Sequence, residues 1–247
     1  MSNINDNYFD GHYKNIWRSV IPAELTPKET DFMMQYFHLQ PGNAVLDIMC
    51  GYGRHAIALA RKGIAVTATD NLGDYIEEIK KTAKEEKLPL TAIKSDIIQY
   101  KIDSSYDLAI CMGNSLNFFN AEDIHRLLTR IHSHLKPGGH LLINTWSLAE
   151  IAIKSFAARS WDEREGVKHI CESRYLFQPT RIESDSVFLF PGGHTEEKKA
   201  VDYIFSVAEM EALLRDAGFS LEEIYSIPGK KKFTLGDPRA YIIAGKI

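Results

Sequence analysis

Residues 44–70 have the sequence AVLDIMCGYGRHAIALARKGIAVTATD, and this stretch decides the fold class. The apolar run Ala44–Ile48 predicts a buried strand, and a glycine-containing turn at 50–53 follows it directly. Apolar residues at helical spacing then continue to Gly63, after which a β-branched strand runs to Asp70. The pattern therefore predicts one βαβ unit of a parallel sheet, with Asp70 beside the glycine turn.

This unit has the features of a nucleoside site. The Asp70 carboxylate is placed to accept hydrogen bonds from both hydroxyls of a ribose, while backbone N–H groups of the turn face the same ligand. Read from Gly51, the letters GYGRHA also fit the pattern G-x-G-x-x-G/A, with an acidic residue about 20 positions further on. A dinucleotide such as NAD therefore stays open at this point.

The residues before the turn favour a different nucleoside. The string DIMCGYG at 47–53 resembles the D-x-G-x-G-x-G signature of class I S-adenosylmethionine-dependent methyltransferases, with Met49 in place of the first glycine. Arg54 and His55 extend it to C-G-x-G-R-H, a string familiar in the small-molecule branch of that family. The resemblance implies that five residues surround the cofactor S-adenosylmethionine: Asp47, Cys50, Gly51, Gly53 and Arg54.

The same resemblance assigns residues to the rest of the cofactor. Asp70 is expected to accept the ribose hydroxyls, with Asn71 and Leu72 along the adenosine. Asp96 and Ile97 follow the predicted third strand, where an acidic residue in this family commonly meets the exocyclic amine of adenine. Four residues at the end of the predicted strand 106–112 are placed beside the methionine part and the reacting methyl group: Cys111, Met112, Gly113 and Asn114.

Residues 1–40 are expected to form a lid and a helix ahead of the sheet. In many relatives of the resembled family an N-terminal aromatic segment folds over the cofactor. Tyr13 and Trp17, one helical turn apart, are the candidates here, and packing of these rings on the surface is the alternative. The letters TPKE at 26–29 predict a helix start with a capping box between Thr26 and Glu29.

The segment 147–205 follows the predicted fifth strand, 140–145, and is the least patterned part of the chain. It contains predicted strands joined by turns at Pro179 and 191–193. Because it leaves the ligand-binding edge and far exceeds the ~2–6 residues that usually join a strand to a helix, we expect a roof over the acceptor site. A homodimer interface is the alternative.

The chain 1–247 is thus predicted to be one α/β domain. Its expected fold is a doubly wound, Rossmann-like, seven-stranded and mostly parallel sheet with an antiparallel last strand, plus a small β-rich insertion after the fifth strand. The resemblance implies methyl transfer from S-adenosylmethionine to a small-molecule acceptor by direct displacement. An NAD-dependent oxidoreductase and a non-catalytic S-adenosylmethionine-binding module are the alternatives, and no residue identifies itself as catalytic.

Composition narrows the environment and the partners. The 247 residues are 45% hydrophobic and 25% charged, which suffices for a full core. A net charge of −4 gives no general attraction to nucleic acid. No group of His, Cys or carboxylates has metal-ligand spacing, so metal-independent chemistry is expected. The polar N-terminus and the lack of a long apolar run predict a cytoplasmic protein without a membrane segment.

Overall fold

The structure, a computed structural model, describes residues 3–247. The α-helices of this part of the chain are α1 (Tyr13–Ser19), α2 (Leu25–Tyr36), α3 (Arg54–Arg61), α4 (Gly73–Glu85), α5 (Ala121–His134), α6 (Ala149–Ser155) and α7 (Val207–Asp216). The strands are β1 (Ala44–Ile48), β2 (Ala65–Asp70), β3 (Leu90–Lys94), β4 (Tyr106–Cys111), β5 (Leu135–Thr145), β6 (Arg159–Arg164), β7 (Val167–Phe177), β8 (Thr180–Leu189), β9 (Thr195–Tyr203), β10 (Phe219–Ile227), β11 (Lys231–Lys232) and β12 (Ala240–Lys246).

The main sheet has the strand order β11-β10-β12-β5-β4-β1-β2-β3. Strands β1 to β5 run parallel, whereas β12 is antiparallel to both of its neighbours, β5 and β10. The predicted sheet with an antiparallel last strand is therefore confirmed, and the one addition is the two-residue β11 at the edge. The order reverses between β1 and β4, so ligands are expected at the carboxyl ends of these strands.

Helices cover both faces of this sheet, as expected for parallel strands that are apolar on both sides. On one face α2 and α3 pack against strand residues such as Val45, Ile110 and Ile243. On the other face the core includes residues of α5 and α7 together with Leu46 and Ile143. The carboxyl edge between the two helix layers is left for a site.

The start of α2 differs from the prediction. The helix begins at Leu25 with Glu24 as its N-cap, and no side chain caps it. The predicted capping box between Thr26 and Glu29 is wrong, because Glu29 is 2% exposed and its carboxylate is bound by residues far along the chain. A local sequence pattern could not anticipate these partners.

Strand β5 begins earlier than the predicted residue 140. Its pairing with β4 jumps from Leu135 opposite Tyr106 to His140 opposite Leu108, so the residues between them bulge out of the ladder. From His140 to Ile143 the pairing is regular, as expected for the middle of a sheet.

The insertion after β5 is a second, four-stranded antiparallel sheet in the order β6-β7-β8-β9. The predicted turns at Pro179 and 191–193 lie between β7, β8 and β9. Strand β6 was not predicted, because all of its side chains are exposed and its letters, RSWDER, show no apolar alternation.

None of the helices within residues 3–247 is long and apolar enough to cross a bilayer.

Candidate functional site

A cavity of about 340 Å³ lies at the carboxyl ends of β1 to β4, where the strand order reverses. Its floor is made of the turns that follow these strands, including Gly51, Asp70 and Gly113. Its outer wall comes from the N-terminal segment and includes Phe9 and Trp17. The cavity therefore occupies the edge at which an open α/β sheet binds its ligand.

Most of the residues predicted around the cofactor line this cavity: Trp17, Asp47, Cys50, Gly51, Arg54, Asp70, Asn71, Leu72, Asp96, Ile97, Met112 and Gly113. Four others that were predicted there are absent from its wall: Tyr13, Gly53, Cys111 and Asn114. The residues predicted at the glycine turn and at the ends of the neighbouring strands thus lie around one cavity.

Asp70 organises the turn after β1. Its Oδ2 accepts a hydrogen bond from the Gly51 N–H at 2.8 Å, and its Oδ1 accepts one from the Leu72 N–H at 3.0 Å. Burial raises the pKa of Asp70, and these hydrogen bonds oppose that rise. Because each carboxylate oxygen can accept more than one hydrogen bond, the Asp70 carboxylate can still take ribose hydroxyls from the cavity.

Asp47 also lines the cavity, but in the described part of the chain its carboxyl group is not hydrogen-bonded as that of Asp70 is. It is 1% exposed, and within residues 3–247 neither of its carboxyl oxygens has a hydrogen-bond partner. Burial raises the pKa of Asp47 to about 8, an effect that the nearby charge of Arg54 opposes. Buried polar groups are ordinarily hydrogen-bonded. The carboxyl oxygens of Asp47 are therefore suited to accept hydrogen bonds from a ligand.

The two glycines of the turn have different tasks. Gly51 has a φ of +56° and open space where a Cβ would stand, so a ligand can approach its backbone closely. Gly53 has a φ of +74°, and a Cβ there would lie 2.6 Å from Cγ1 of Ile79 on α4. Gly53 is therefore required for the packing of α3 against α4 and does not face the cavity.

We expect Gly53→Ala to destabilise the fold more than Gly42→Ala does. Both glycines have positive φ, but a Cβ at Gly42 would meet nothing within 4 Å. Backbone strain is present in both variants, and the steric clash is added only in the Gly53 variant, where it should cost about 1–3 kcal/mol. Urea unfolding measures this difference, and equal losses in the two variants would show that contact with Ile79 does not restrict this position.

Asn114 connects the end of β4 to β5 and the insertion. Its Oδ1 accepts hydrogen bonds from the Trp146 N–H at 2.9 Å and the Ser147 N–H at 3.1 Å. Its Nδ2 donates to Ser147 Oγ and to Asp202 Oδ1, both at 2.8 Å. Burial raises the pKa of Asp202 to about 6. The Asn114 side chain is thus committed to the scaffold behind the cavity.

Cys111 and Tyr13 also lie behind the cavity wall. Cys111 is 1% exposed within the α5-side core, where burial raises the pKa of its thiol. The Tyr13 ring packs against Tyr8 at 5.1 Å and against Phe188 of β8 at 4.6 Å, measured between ring centroids. Tyr13 therefore joins the N-terminal segment to the insertion.

Glu29 is a buried hub that the sequence patterns missed. Its Oε2 accepts hydrogen bonds from Arg54 Nη1 at 2.5 Å and His55 Nε2 at 2.8 Å, and its Oε1 accepts one from the Tyr241 hydroxyl at 2.7 Å. Burial alone would raise the pKa of Glu29, but the His55 hydrogen bond and the neighbouring positive charge lower it to about 2. Glu29 thereby holds Arg54 at the cavity wall.

The N-terminal segment is fastened to the edge strand β9. Asn5 and Val201 exchange two hydrogen bonds of 2.9 Å, and Lys198 Nζ donates to the Asn7 carbonyl at 3.1 Å. Glu196 Oε1 accepts the backbone N–H of His12 at 3.0 Å and contacts its ring Nδ1 at 2.6 Å. These polar anchors hold the outer wall of the cavity in place.

The insertion contacts the N-terminal segment and does not itself line the cavity. None of the residues 147–205 lines the cavity wall, whereas Phe9 and Trp17 of the N-terminal segment do. The expectation that the insertion roofs the acceptor site stays a prediction, and in this conformation the N-terminal segment lies between the insertion and the cavity.

One group of side chains on this surface has potential metal-ligand atoms close together. The ring nitrogens of His12 and His194 and a carboxylate oxygen of Glu196 all lie within 4.8 Å of one another. His12 and Glu196 are 184 residues apart, so no spacing in the sequence could indicate the group. The expected metal independence of the chemistry stays a prediction.

Known proteins resemble this chain in sequence and in fold. Residues 45–139 match the protein family described as a methyltransferase domain. The ubiquinone biosynthesis O-methyltransferase of Rickettsia felis is 33% identical over 101 residues, which are 41% of this chain and 40% of that enzyme. The chain thus spans about 40% of the length of the curated relatives that it first matches.

Solved structures cover nearly the whole chain. An S-adenosylmethionine-dependent methyltransferase from Clostridium acetobutylicum superposes with a TM-score of 0.81 at 17% identity, covering 95% of this chain and 96% of that one. CalS10, an amino pentose methyltransferase from Micromonospora echinaspora, gives a TM-score of 0.71 at 17% identity, covering 96% and 98% of the two chains. At this identity the likeness establishes the fold alone.

Proposed function

We propose that this chain, which belongs to the class I S-adenosylmethionine-dependent methyltransferases, transfers the methyl group of S-adenosylmethionine to a small-molecule acceptor. The observation that carries the proposal is the cavity at the β1/β4 switch point, where Asp70 tethers the glycine turn and Asp47 has no partner within residues 3–247. We assign both carboxyl groups to the polar parts of such a cofactor.

The adenosine is assigned to the β2 and β3 side of the cavity. Asp70 ends β2 and would accept the ribose hydroxyls, while Asp96 follows β3 and would meet the adenine amine. Asn71 lies between them on the wall, and its side chain donates to the Asp6 carbonyl of the N-terminal segment at 3.2 Å. The same contact would close that segment over the adenosine.

The methionine part is assigned to the turns after β1 and β4. The buried Asp47 lacks a donor in the described chain, and the ammonium of the cofactor would supply one. Gly113, after β4, lies beneath Trp17, because a Cβ there would stand 4.0 Å from Trp17 Cζ2. The sulfonium and its methyl group would therefore lie under the Trp17 ring.

The chemistry is a direct displacement. The electron pair of the acceptor's nucleophile forms a bond to the methyl carbon while the methyl–sulfur bond pair returns to sulfur, which yields S-adenosylhomocysteine. A proton on the nucleophile leaves to solvent. The sulfonium already activates the methyl group, so the protein's main contribution is alignment, which can supply roughly 7–11 kcal/mol in favourable cases.

An NAD-dependent oxidoreductase is less consistent with the sheet. Strand β12 runs antiparallel between β5 and β10, an arrangement that the dinucleotide-binding dehydrogenases do not share. None of the described features favours a module that binds S-adenosylmethionine without turnover over an enzyme.

Labelled methyl transfer tests the proposed function. The purified protein is incubated with S-adenosylmethionine labelled in its methyl carbon and with a small-molecule extract of cells, and labelled products are identified by mass spectrometry. We expect label in a small-molecule product. Binding of S-adenosylhomocysteine without any labelled product would instead support the non-catalytic module, and binding of NADH alone would support the oxidoreductase.

We further propose that residues 1–247 form one domain. Within it, residues 3–24 act as a lid that the insertion holds closed. Glu196→Ala removes the acceptor of the His12 N–H and should raise the fraction of chains with an open segment. A loss of about 1 kcal/mol corresponds to roughly fivefold faster tryptic cleavage after Lys14 and Arg18.

Glu197→Ala is the matched control for this prediction. Glu197 is the next residue on β9, and its side chain is exposed. We expect its cleavage rate to equal that of the wild type. Equal rates in the Glu196 and Glu197 variants would show that Glu196 does not hold the segment.

A further inference from the structure

The cavity is lined by charged residues of both signs. Asp70 and Asp96 line the end assigned to adenosine, and the arginines Arg54 and Arg239 line the cavity as well. Arg54 is neutralised by its ion pair with Glu29 at 2.5 Å. Arg239 lies just before β12, beyond the strands whose turns were assigned to the cofactor.

Arg239 lacks an acidic partner in the described part of the chain: within residues 3–247, no carboxylate lies within ion-pair distance of its guanidinium. The guanidinium lies beside the Tyr241 hydroxyl, which donates to Glu29 and can accept from Arg239. Burial and Glu29 raise the pKa of this hydroxyl, and Arg239 opposes the rise. A half-buried guanidinium has five donors, so most of them are left for an anion in the cavity.

Aromatic side chains line the same cavity as Arg239. Ala240 pairs with Thr145, so Arg239 and Trp146 are the residues just beyond this end of the β5–β12 ladder, and both line the cavity. Trp146 is 36% exposed, and its ring centroid lies 6.1 Å from that of Trp17. A flat, apolar molecular body would cover these indole rings and leave its anionic group at Arg239.

The position of Arg239 separates it from the cofactor's own carboxylate. The methionine part is assigned to the turns after β1 and β4, and β5 lies between β4 and β12. With the usual strand spacing, the start of β12 is about 10 Å across the sheet from the end of β4. This distance is suited to a second molecule placed beyond the methyl group.

We propose that Arg239, Trp146 and Trp17 form the acceptor subsite, and that the methyl acceptor is a small, flat molecule that carries a carboxylate. The carboxylate is the anchor and another atom of the same molecule is the nucleophile. This inference rests on the proposed methyl transfer and adds to it the chemical class of the acceptor.

Acid and amide pairs test the subsite by calorimetry. The protein is first titrated with S-adenosylhomocysteine and is then titrated, in the loaded state, with 4-hydroxybenzoate against 4-hydroxybenzamide and with indole-3-acetate against indole-3-acetamide. Each acid should bind at least about tenfold more tightly than its amide, because a charge-assisted hydrogen bond to arginine is lost in the amide. Arg239→Gln should abolish this preference and Arg239→Lys should keep part of it.

The controls separate the ways in which the inference can fail. Arg126→Gln, on the exposed side of α5, should keep the full acid preference, and circular dichroism should show that all variants are folded. Equal binding of acids and amides by the wild type, or no binding of either, would overturn the inference. A tenfold loss of S-adenosylhomocysteine affinity in Arg239→Gln would overturn it too, by assigning Arg239 to the cofactor. Failure of the wild type to bind S-adenosylhomocysteine would instead refute the proposed function.

Discussion

Replacing Asp70 with Asn is expected to lower the affinity for S-adenosylhomocysteine by about 10- to 150-fold, the equivalent of about 1.5–3 kcal/mol for hydrogen bonds to a charged acceptor. The carboxylate is 8% exposed and accepts from the Gly51 and Leu72 N–H groups. An amide in its place would present a donor to one of these N–H groups or to a ribose hydroxyl. The substitution therefore weakens both the turn and the ligand contact.

Calorimetry measures this change, with Asp103→Asn as the control. Asp103 is exposed and does not line the cavity, so its variant should bind like the wild type. An unchanged affinity in Asp70→Asn would remove the ribose assignment, and with it the main link between the glycine turn and the cofactor.

Glu29→Ala is expected to cause the largest loss of stability, about 3–5 kcal/mol in the free energy of unfolding. The carboxylate is 2% exposed, and its removal takes a hydrogen-bond acceptor from Arg54, His55 and the Tyr241 hydroxyl. Urea unfolding at pH 7 measures the loss. Glu24→Ala, at the exposed start of the same helix, should change the free energy of unfolding by less than about 0.5 kcal/mol.

The pH dependence gives this prediction a second test. The pKa of Glu29 is about 2 in the folded protein and 4.5 as its ordinary value. The stabilisation by its charge is therefore fully present above pH 4.5 and is lost as the pH falls toward 2. The gap between wild type and Glu29→Ala should narrow over that range. A gap that stays constant would mean that the ionised carboxylate does not carry the effect.

The sequence predicted best those features that depend on neighbours along the chain. The βαβ unit at 44–70 could be recognised because the turn after β1 and the Asp70 at the end of β2 are set by local patterns of apolar residues and glycine. Asp96, which follows β3, was assigned through the resemblance to the methyltransferase family. Parallel strands end at one edge, so residues chosen at strand ends meet in space even though they are far apart in the sequence.

Features that depend on distant partners were missed or assigned differently. Glu29 fits a capping box locally, but its three partners in the fold outweigh that pattern. Asn114 follows β4, as predicted, yet its amide is committed to Ser147 and Asp202. No periodicity in one segment reports which side chain of another segment will bind it, and this also explains why Arg239 was overlooked.

A crystal structure of the protein with S-adenosylhomocysteine tests the central claim most directly. We predict the ligand in the cavity between the sheet edge and the N-terminal segment, with both ribose hydroxyls within hydrogen-bond distance of the Asp70 carboxylate and the ammonium of the ligand at Asp47. The sulfur should face Trp17. Density for the ligand at any other place, or a ribose that does not touch Asp70, would contradict the assignment of this cavity to the methyl donor.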